Sequence, residues 1–238
     1  MKRIGIIAAL PAEVGSLRQG KYKLNTPVEI QKDLFVCMSG MGAANASLSA
    51  IKLIEKEVDA LISWGVAGAI TSILQPGDLL IADEVIAEES SFFPDQHWLS
   101  NIVSSLNNAP ASIHINKIAS IDQVCSTIDD KKQVSEKTNA YAVDMESSAI
   151  AKIAKENGKD FLAIRAIADD AQTSLPKVVT QYTDMLGRPK WGPFIYSCLT
   201  QPGQIKDLIK LAKCYNQALL TLHQIAPDLK KQYFLYNS

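Results

Sequence analysis

The chain has 238 residues, of which 47% are hydrophobic and 21% are charged, a composition typical of a soluble globular protein with one large core. Its 24 basic and 25 acidic residues are spread along the chain with a formal net charge of -1. This argues against a nucleic-acid or membrane-surface partner, since either would need clustered Lys and Arg. No apolar run reaches the roughly 20 residues that a membrane-spanning helix needs.

The N-terminus and the cysteines both favour a cytoplasmic protein. Residues 1–7 are similar to the start of a signal peptide, but the apolar run is short, and Pro11 and Glu13 interrupt it before any cleavage site. The four cysteines lie far apart, without a C-x-x-C pair or a histidine at ligand spacing. The sequence therefore predicts no disulfide framework and no metal site.

The chain opens on a strand and a helix. Ile4 to Ala9 is a continuous apolar run, as expected for a strand with both faces covered. Pro11 stands in the tolerated first turn of the next helix, and Glu13 lies near its positive end. From spacing alone, Glu13 either complements the helix dipole or serves a site.

A glycine-rich turn follows the next predicted strand, Leu34 to Met38. Gly40 and Gly42 precede a predicted helix that extends to about Glu57. The pattern lacks the third glycine of a dinucleotide motif, and no acid ends a following strand at the expected distance, so a dinucleotide site is disfavoured. The alternative is that the glycines bring the backbone close to a small ligand at a helix N-terminus.

The middle of the chain alternates predicted strands and loops. We predict a strand over 60–64, a turn through 65–68, strands over 78–86 and 115–121, and a short helical or loop connection over 131–138. A final amphipathic helix is predicted over about 202–226. There is no internal repeat or linker, so one domain over residues 1–238 is the economical interpretation.

Two acidic stretches lie between these parts. Asp144 and Glu146 precede a predicted helix from Ser147 to about Glu156, and a short apolar strand then leads to Asp169 and Asp170. A helix start and a strand end can present Glu146 and Asp169 to one crevice, where open α/β sheets bind ligands. Each acid could instead be a cap or a solvated charge. Glu146, however, lies among small and apolar residues, where an unpaired charge is costly.

These acidic stretches also carry a family resemblance. The runs AVDMESSAIA (142–151) and IRAIADDA (164–171) resemble the signature of the nucleoside phosphorylase and nucleosidase superfamily, which includes the methylthioadenosine/S-adenosylhomocysteine nucleosidases. Further similar motifs, in the family's order, are MKRIGIIAALPAEV, SGMGAANA, SWGVAGAI and LQPGDLLIADEVI. After Asp170 the chain is more similar to the hopanoid-associated phosphorylase branch, which acts on adenosylhopane. The resemblance implies an α/β fold, a single-domain three-layer sandwich with a mixed central sheet flanked by helices.

The resemblance implies that the chain cleaves the N-ribosidic bond of a purine nucleoside, with adenine as the base and a modified 5′ position. It also implies a homodimer and no cofactor. Asp169 would protonate the base, Glu13 would activate the attacking water, and Glu146 would grip the ribose hydroxyls. The substrate-binding residues implied are Glu146, Met145, Val66, Ala67, Gly68, Val124 and Cys125.

Water or phosphate as the nucleophile stays open at this point. Phosphorylases of the superfamily place an Arg and a Ser where this chain has Glu13 and Val66. A carboxylate ~4 Å from a phosphate would be repelled by several kcal/mol in a partly buried site, which favours hydrolysis. Arg18 and Arg165 lie near enough in sequence to overturn this, and the branch resemblance favours phosphorolysis.

Two departures from the nucleosidase pattern affect the base end of the site. Ala168 stands where a Ser precedes the acid, which removes one hydrogen bond to that acid, and Val124 stands where an aromatic ring stacks on the base. A catalytically silent nucleoside-binding protein is the alternative from a different class. The presence of Glu13, Glu146 and Asp169 argues against it.

The segment from Thr173 to Gln204 supports two interpretations. It is either a core-packing loop or dimer contact, or a hydrophobic wall beside the ribose 5′ position that would suit an apolar substituent. Its apolar residues are Leu175, Met185, Leu186, Trp191, Phe194, Ile195, Tyr196 and Leu199.

Overall fold

The described part of the chain places nine strands in one mixed sheet. The computed structural model describes residues 2–106, 109–176, 184, 186 and 204–232, with the side chains of the last helix described over 205–228. The strands are β1 (Ile4–Ala8), β2 (Val28–Gln31), β3 (Leu34–Met38), β4 (Ala60–Ala69), β5 (Leu79–Ile86), β6 (Ser91–Phe92), β7 (Ile113–Ser120), β8 (Ala142–Asp144) and β9 (Asp160–Asp169).

The sheet is open on one side and closed on itself on the other. β1 lies between β3 and β4, parallel to both, and β2 is antiparallel to β3 at the open edge. On the other side, β4 pairs in parallel with β9, and β9 pairs antiparallel with β5. β5 pairs in parallel with β7, and β7 pairs in parallel with β8. β8 pairs antiparallel with β4, which closes the series. These five strands form a ring, so β4 and β9 are paired on both sides. Such strands are buried and need continuous apolar runs.

Helices cover both faces of the sheet. They are α1 (Pro11–Leu17), α2 (Ala43–Ile54), α3 (Gln96–Ser105), α4 (Ile128–Thr138), α5 (Ser147–Glu156) and α6 (Gln204–Gln232). On one face, α1, α3 and α6 pack around side chains such as Val14, Trp64 and Leu222, whereas α2 and α5 pack on the other face around Leu53 and Leu61. This confirms the predicted three-layer α/β fold with a mixed central sheet flanked by helices.

The predicted turn through residues 65–68 is wrong. β4 continues without a break to Ala69, because β9 pairs with it along this length up to the Gly68–Asp169 pair. A Cβ on Gly68 would lie 3.0 Å from Asp169 Oδ1. The glycine therefore provides space beside a carboxyl group inside the sheet and does not turn the chain.

Other elements exist as predicted but differ in extent. α4 begins at Ile128, before the predicted residue 131, because the Thr127 side chain caps it and accepts a hydrogen bond from Asp130 N (3.1 Å). α5 has the predicted bounds, and α6 continues past the predicted end with Pro227 inside it. The sequence did not predict α3, β2, β6 or β8; the last three are short strands that depend on their partners.

Several predictions lie outside what the structure describes or tests. Of the residues proposed as a hydrophobic wall, Met185, Trp191, Phe194, Ile195, Tyr196 and Leu199 lie outside the described residues. The single domain over residues 1–238, the homodimer and the cytoplasmic location stay predictions.

The described residues contain free thiols and lack the features of a membrane span or a metal site. Within 2–106, 109–176 and 204–232, no helix is both long and apolar enough to cross a bilayer. This part of the chain holds no cluster of three or more His, Cys, Asp or Glu that could bind a metal. Cys37, Cys125 and Cys214 are free thiols.

Leu53 and Leu48 of α2 are a matched pair for testing the core. Leu53 is fully buried, whereas Leu48 is 43% exposed. We expect Leu53→Ala to lower the free energy of unfolding by about 2–5 kcal/mol, because it loses buried apolar surface and leaves a cavity. Leu48→Ala should lower it by less than about 1 kcal/mol. Urea denaturation followed by circular dichroism compares the two variants, and equal losses would contradict this placement of α2.

Candidate active site

The ends of β1, β8 and β9 and the second half of β4 surround one cavity. Its lining residues are Ala9, Leu10, Glu13, Met41, Val66, Ala67, Gly68, Gln123, Val124, Cys125, Lys131, Val143, Asp144, Met145, Glu146, Ala168, Asp169 and Leu175. All the predicted site residues are among them: Asp169, Glu13, Glu146, Met145, Val66, Ala67, Gly68, Val124 and Cys125. The structure thus brings these residues together, while their individual roles stay predictions.

Glu13 reaches the cavity from the first turn of α1 and is 2% exposed. Its Oε1 accepts a hydrogen bond from Val66 N (2.9 Å), and its Oε2 accepts one from Leu10 N (2.8 Å). Gly65 provides the space, since a Cβ there would lie 2.6 Å from Oε1. Burial raises the pKa of Glu13, although Arg165 and the backbone donors oppose the rise. A carboxylate with a raised pKa is a stronger base than one in water and is suited to accept a proton.

Arg165 of β9 is a buried cation next to the cavity, with a side chain that is 2% exposed. It donates to Asp144 Oδ2 from Nε (2.8 Å), and Nη2 lies 2.7 Å from the same oxygen. Nη2 also donates to Ser63 Oγ (2.7 Å) and Ser147 Oγ (3.1 Å). Ser147 in turn donates to Asp144. These bonds engage Nε and Nη2 within the protein, and Arg165 is buried and does not line the cavity, so it is not placed to bind a phosphate there.

Glu146 lies directly before α5 and is 8% exposed. Its Oε1 accepts a hydrogen bond from Gly42 N (2.9 Å), and its Oε2 lies 3.8 Å from Arg165 Nη2. Burial raises the pKa of Glu146 to about 7, with Arg165 opposing the rise and Asp144 adding to it. Gly42 has a φ of 94°, a conformation that favours glycine. The glycine-rich turn therefore brings its backbone close to a carboxylate of the same chain.

Asp169 is the last residue of β9 and is 7% exposed. Its Oδ2 forms an ion pair with Lys131 Nζ, and its Oδ1 lies beside Gly68. Burial raises the pKa of Asp169, Lys131 opposes that rise, and Asp170 adds to it. Lys131 thus holds the carboxyl group of Asp169 at the wall of the cavity through one of its two oxygens.

Lys131 is the charged lining residue that sequence reasoning missed. It lies in the first turn of α4, and its Nζ also donates to Asp170 O (2.7 Å) and Thr173 O (3.1 Å). Its side chain is 2% exposed, whereas that of the adjacent Lys132 is 72% exposed. Two neighbouring lysines do not reveal which one is buried. The one available signal is a cation near the positive end of a helix, where the dipole disfavours it.

The apolar part of the cavity wall lies near the start of α4. Val124 is 46% exposed and Cys125 is buried. Leu175 N donates to Ser126 O (2.8 Å), which ties the segment after β9 to this loop. The sequence also did not single out the lining residues Ala9, Leu10, Met41, Gln123 and Val143.

Arg18, the second cation considered for phosphate, does not line the cavity. It is exposed, and its Nη1 donates to Ile30 O (2.9 Å). Lys131 is the only Lys or Arg among the described residues that line the cavity, and its three N–H donors have three acceptors within the protein.

Comparison with known proteins points to one family. The model of the phosphorylase superfamily matches residues 3–185. A 5′-methylthioadenosine/S-adenosylhomocysteine nucleosidase of Staphylococcus haemolyticus is 28% identical over 198 residues, which cover 70% of this chain and 86% of that protein. A protein of the same name from Staphylococcus aureus is 25% identical over 195 residues, with the same coverage of both chains.

Solved structures show the same fold at lower identity. The futalosine hydrolase of Helicobacter pylori superposes with a TM-score of 0.72 at 16% identity, over 97% of this chain and 98% of that one. The 5′-methylthioadenosine/S-adenosylhomocysteine nucleosidase of the same organism superposes with a TM-score of 0.71 at 17% identity, over 99% of both chains. Since the family model matches well over half of the sequence, this chain belongs to the phosphorylase superfamily.

Proposed function

We propose that this protein hydrolyses the N-ribosidic bond of a purine nucleoside, with adenine as the base and a modified 5′ position. The family match and the nucleosidases among its relatives support cleavage of this type of bond. The observation that carries the proposal is the grouping of three buried acids, Glu13, Glu146 and Asp169, around one cavity. The reaction needs a proton for the base, acceptors for the ribose and a base for the nucleophile.

Glu146 is suited to bind the ribose. An ionised carboxylate has about four lone-pair sites, and Gly42 N takes one of them, which leaves acceptors for the 2′ and 3′ hydroxyls. Met145, the adjacent lining residue, offers a thioether chain for packing against the sugar. The transition state carries positive charge on the ribose, and a nearby ionised carboxylate stabilises it.

Asp169 is suited to act on the base from the opposite part of the cavity. A carboxylic acid can donate its proton to N7 of a purine, and burial raises the pKa of Asp169 toward values at which it carries that proton. Val124 and Cys125 line the same cavity and provide an apolar surface for the ring. In this assignment the base lies between the end of β9 and the loop before α4.

Electrons and protons balance in the proposed reaction, in which Asp169 gives a proton and Glu13 receives one. As the C1′–N9 bond breaks, its electron pair moves onto the purine, and the proton from Asp169 lets the base leave neutral. The water oxygen forms the new bond to C1′, and a proton of that water goes to Glu13. The products are free base and free pentose, and proton exchange with solvent restores both acids.

We favour water over phosphate as the nucleophile because the Glu13 carboxylate already occupies the backbone donors that a bound anion would use. These donors are the N–H groups of Val66 and Leu10. A phosphate ~4 Å from this carboxylate would be repelled by several kcal/mol in a partly buried site. Arg165 is bonded to Asp144 and does not line the cavity, so it is not placed to bind the phosphate itself.

Two alternatives differ in what the protein would release. The sequence after Asp170 resembles the hopanoid-associated phosphorylases, and phosphorolysis would yield a pentose 1-phosphate. A nucleoside-binding protein without catalysis would release no base. Both differ from hydrolysis in their products.

The first test is the set of products. The protein is incubated with adenosine, 5′-methylthioadenosine and a long-chain 5′-alkylthioadenosine, with and without phosphate, and the products are separated and identified by mass. We expect free adenine and free pentose at equal rates with and without phosphate. A pentose 1-phosphate formed only with phosphate would establish phosphorolysis, and no release from any substrate would contradict an enzyme of this specificity.

The role of Glu13 is tested with Glu13→Gln. The amide oxygen can accept from only one of the two backbone donors, and the amide cannot accept the proton of water, so kcat should fall by more than about 10²-fold. Glu88→Gln is the matched control, because Glu88 is exposed and does not line the cavity. Equal activity of both variants would remove Glu13 from the mechanism.

Asp169→Asn tests the proton donor. Asparagine can still hydrogen-bond the base but cannot protonate it, so we expect kcat to fall by more than about 10²-fold while the fold is retained. Asp207→Asn, at an exposed position of α6, serves as the control. Near-normal turnover in Asp169→Asn, measured as adenine release, would exclude Asp169 as the acid.

Glu146→Gln tests the contact with ribose. The variant should lose far more kcat/KM with 5′-methylthioadenosine than with its 2′,3′-dideoxy analogue, because the analogue has no hydroxyls for Glu146 to bind. The ratio of the two losses measures the interaction, as in a double-mutant cycle. Equal losses with both substrates would contradict this assignment.

A further inference from the structure

We propose that Lys131 is a positioning residue that holds the Asp169 carboxyl group for proton transfer to the leaving base. This inference rests on the proposed function, because it takes Asp169 as the acid. It gives a role to a buried cation of the cavity that the three-acid mechanism does not use. The experiments below separate a failure of this inference from a failure of the proposed function.

The position of Lys131 is unfavourable by itself. Its ammonium is buried, and it lies in the first turn of α4, where the helix dipole disfavours a positive charge. Three acceptors compensate for this: Asp169 Oδ2, Asp170 O at 2.7 Å and Thr173 O at 3.1 Å. A lysine has three N–H donors, so all are used within the protein. Lys131 therefore acts on Asp169 and not on a ligand directly.

The three acceptors fix both the acid and the chain that follows it. Lys131 holds Asp169 Oδ2, which leaves Oδ1 beside Gly68, another lining residue of the cavity. The preceding residue, Ala168, has no side-chain group that could hydrogen-bond the carboxyl. Among the described residues, Lys131 is the only side chain that hydrogen-bonds Asp169. The direction in which the acid presents its proton thus depends on this lysine.

The charge of Lys131 also affects when Asp169 carries a proton. Burial raises the pKa of Asp169, Lys131 opposes the rise, and Asp170 adds to it. The other titratable groups that face the pair are Cys125 before α4, Asp130 on α4, and Lys210 and Cys214 on α6. Without Lys131 the effect of burial would be less opposed, and Asp169 would become a weaker acid.

Lys131→Met tests the inference by its pH profile. Protonated Asp169 is the active form, so activity is lost as pH rises through its pKa. Removing the cation raises that pKa, so the alkaline limb of kcat/KM should move up by about 1–3 pH units. We expect kcat at neutral pH to fall at least about 10-fold, because the carboxyl is less well oriented and less acidic. KM should change by less than about threefold.

Two further variants separate charge, hydrogen bonding and folding. Lys131→Gln keeps a hydrogen-bond donor but not the charge. The alkaline limb of kcat/KM should therefore move as it does in Lys131→Met, whereas kcat should fall less. Lys210→Met is the matched control. Lys210 binds the same segment from the exposed side, through Asp170 Oδ2 (3.3 Å) and Thr173 Oγ1 (2.7 Å). Lys210 does not hydrogen-bond Asp169, so its loss should move the alkaline limb by much less than the loss of Lys131 does.

A measurement without turnover completes the test. The carboxyl pKa of Asp169 is followed by ¹³C NMR of Asp-labelled protein, with the signal assigned by its absence in Asp169→Asn. We expect this pKa to be clearly higher in Lys131→Met and to change much less in Lys210→Met. A loss of activity in folded Lys131→Met with an unmoved pKa and limb would leave Lys131 a purely structural role and overturn the inference. If the unmodified protein releases no base, the proposed function fails, while the pKa comparison still shows whether Lys131 controls Asp169.

Discussion

The candidate site depends on one buried cation, Arg165. Its guanidinium binds Asp144 directly, lies 3.8 Å from Glu146 and interacts electrostatically with Glu13. Any of these carboxylates would be costly to bury alone, and together they repel one another. Because Arg165 comes from β9, a strand paired on both sides, the cation is fixed by the same sheet that forms the core. The strand that fixes the cation beside the lining acids is therefore also part of the core. A substitution of Arg165 would affect both the charge balance of the cavity and the packing of the core.

Sequence alone predicts a feature when a local pattern of residues is compatible with only one local structure. Apolar runs such as 4–9 and 34–38 are strands because only a doubly covered sheet buries them. Gly158 comes directly after the C-cap of α5 with a φ of 61°, the position and conformation in which a glycine commonly ends a helix. Glu146 follows β8 and Asp169 is the last residue of β9, and both acids line one cavity. The roles of these acids came from family resemblance and not from spacing.

The remaining features depend on partners that are distant in the sequence. The glycines at 65–68 have the composition of a turn, but pairing with β9 keeps them in a strand. Lys131 and Lys132 are indistinguishable by sequence, and only the placement of the chain after β9 decides which one is buried. The approach of the glycine-rich turn to a small ligand stays a prediction, and the contact of Gly42 N with Glu146 is one that the sequence did not predict. In each case a contact across the fold overrides or completes the local signal.

The charges of the cavity match the charges that hydrolysis would develop. On the side proposed for the ribose, Arg165 is a single cation beside Asp144, Glu146 and Glu13, so this side keeps net negative charge when the acids are ionised. A ribosyl group that becomes positive is stabilised there. On the side proposed for the base, Lys131 is paired with Asp169, so protonation of Asp169 leaves the charge of Lys131 less balanced. That charge favours return of the carboxyl group to its ionised form, and thus transfer of its proton to a purine that gains the electron pair of the broken bond. The acids beside Arg165 and the pair of Lys131 and Asp169 thus give the two proposed parts of the cavity different charges, in the sense that cleavage of the bond would need.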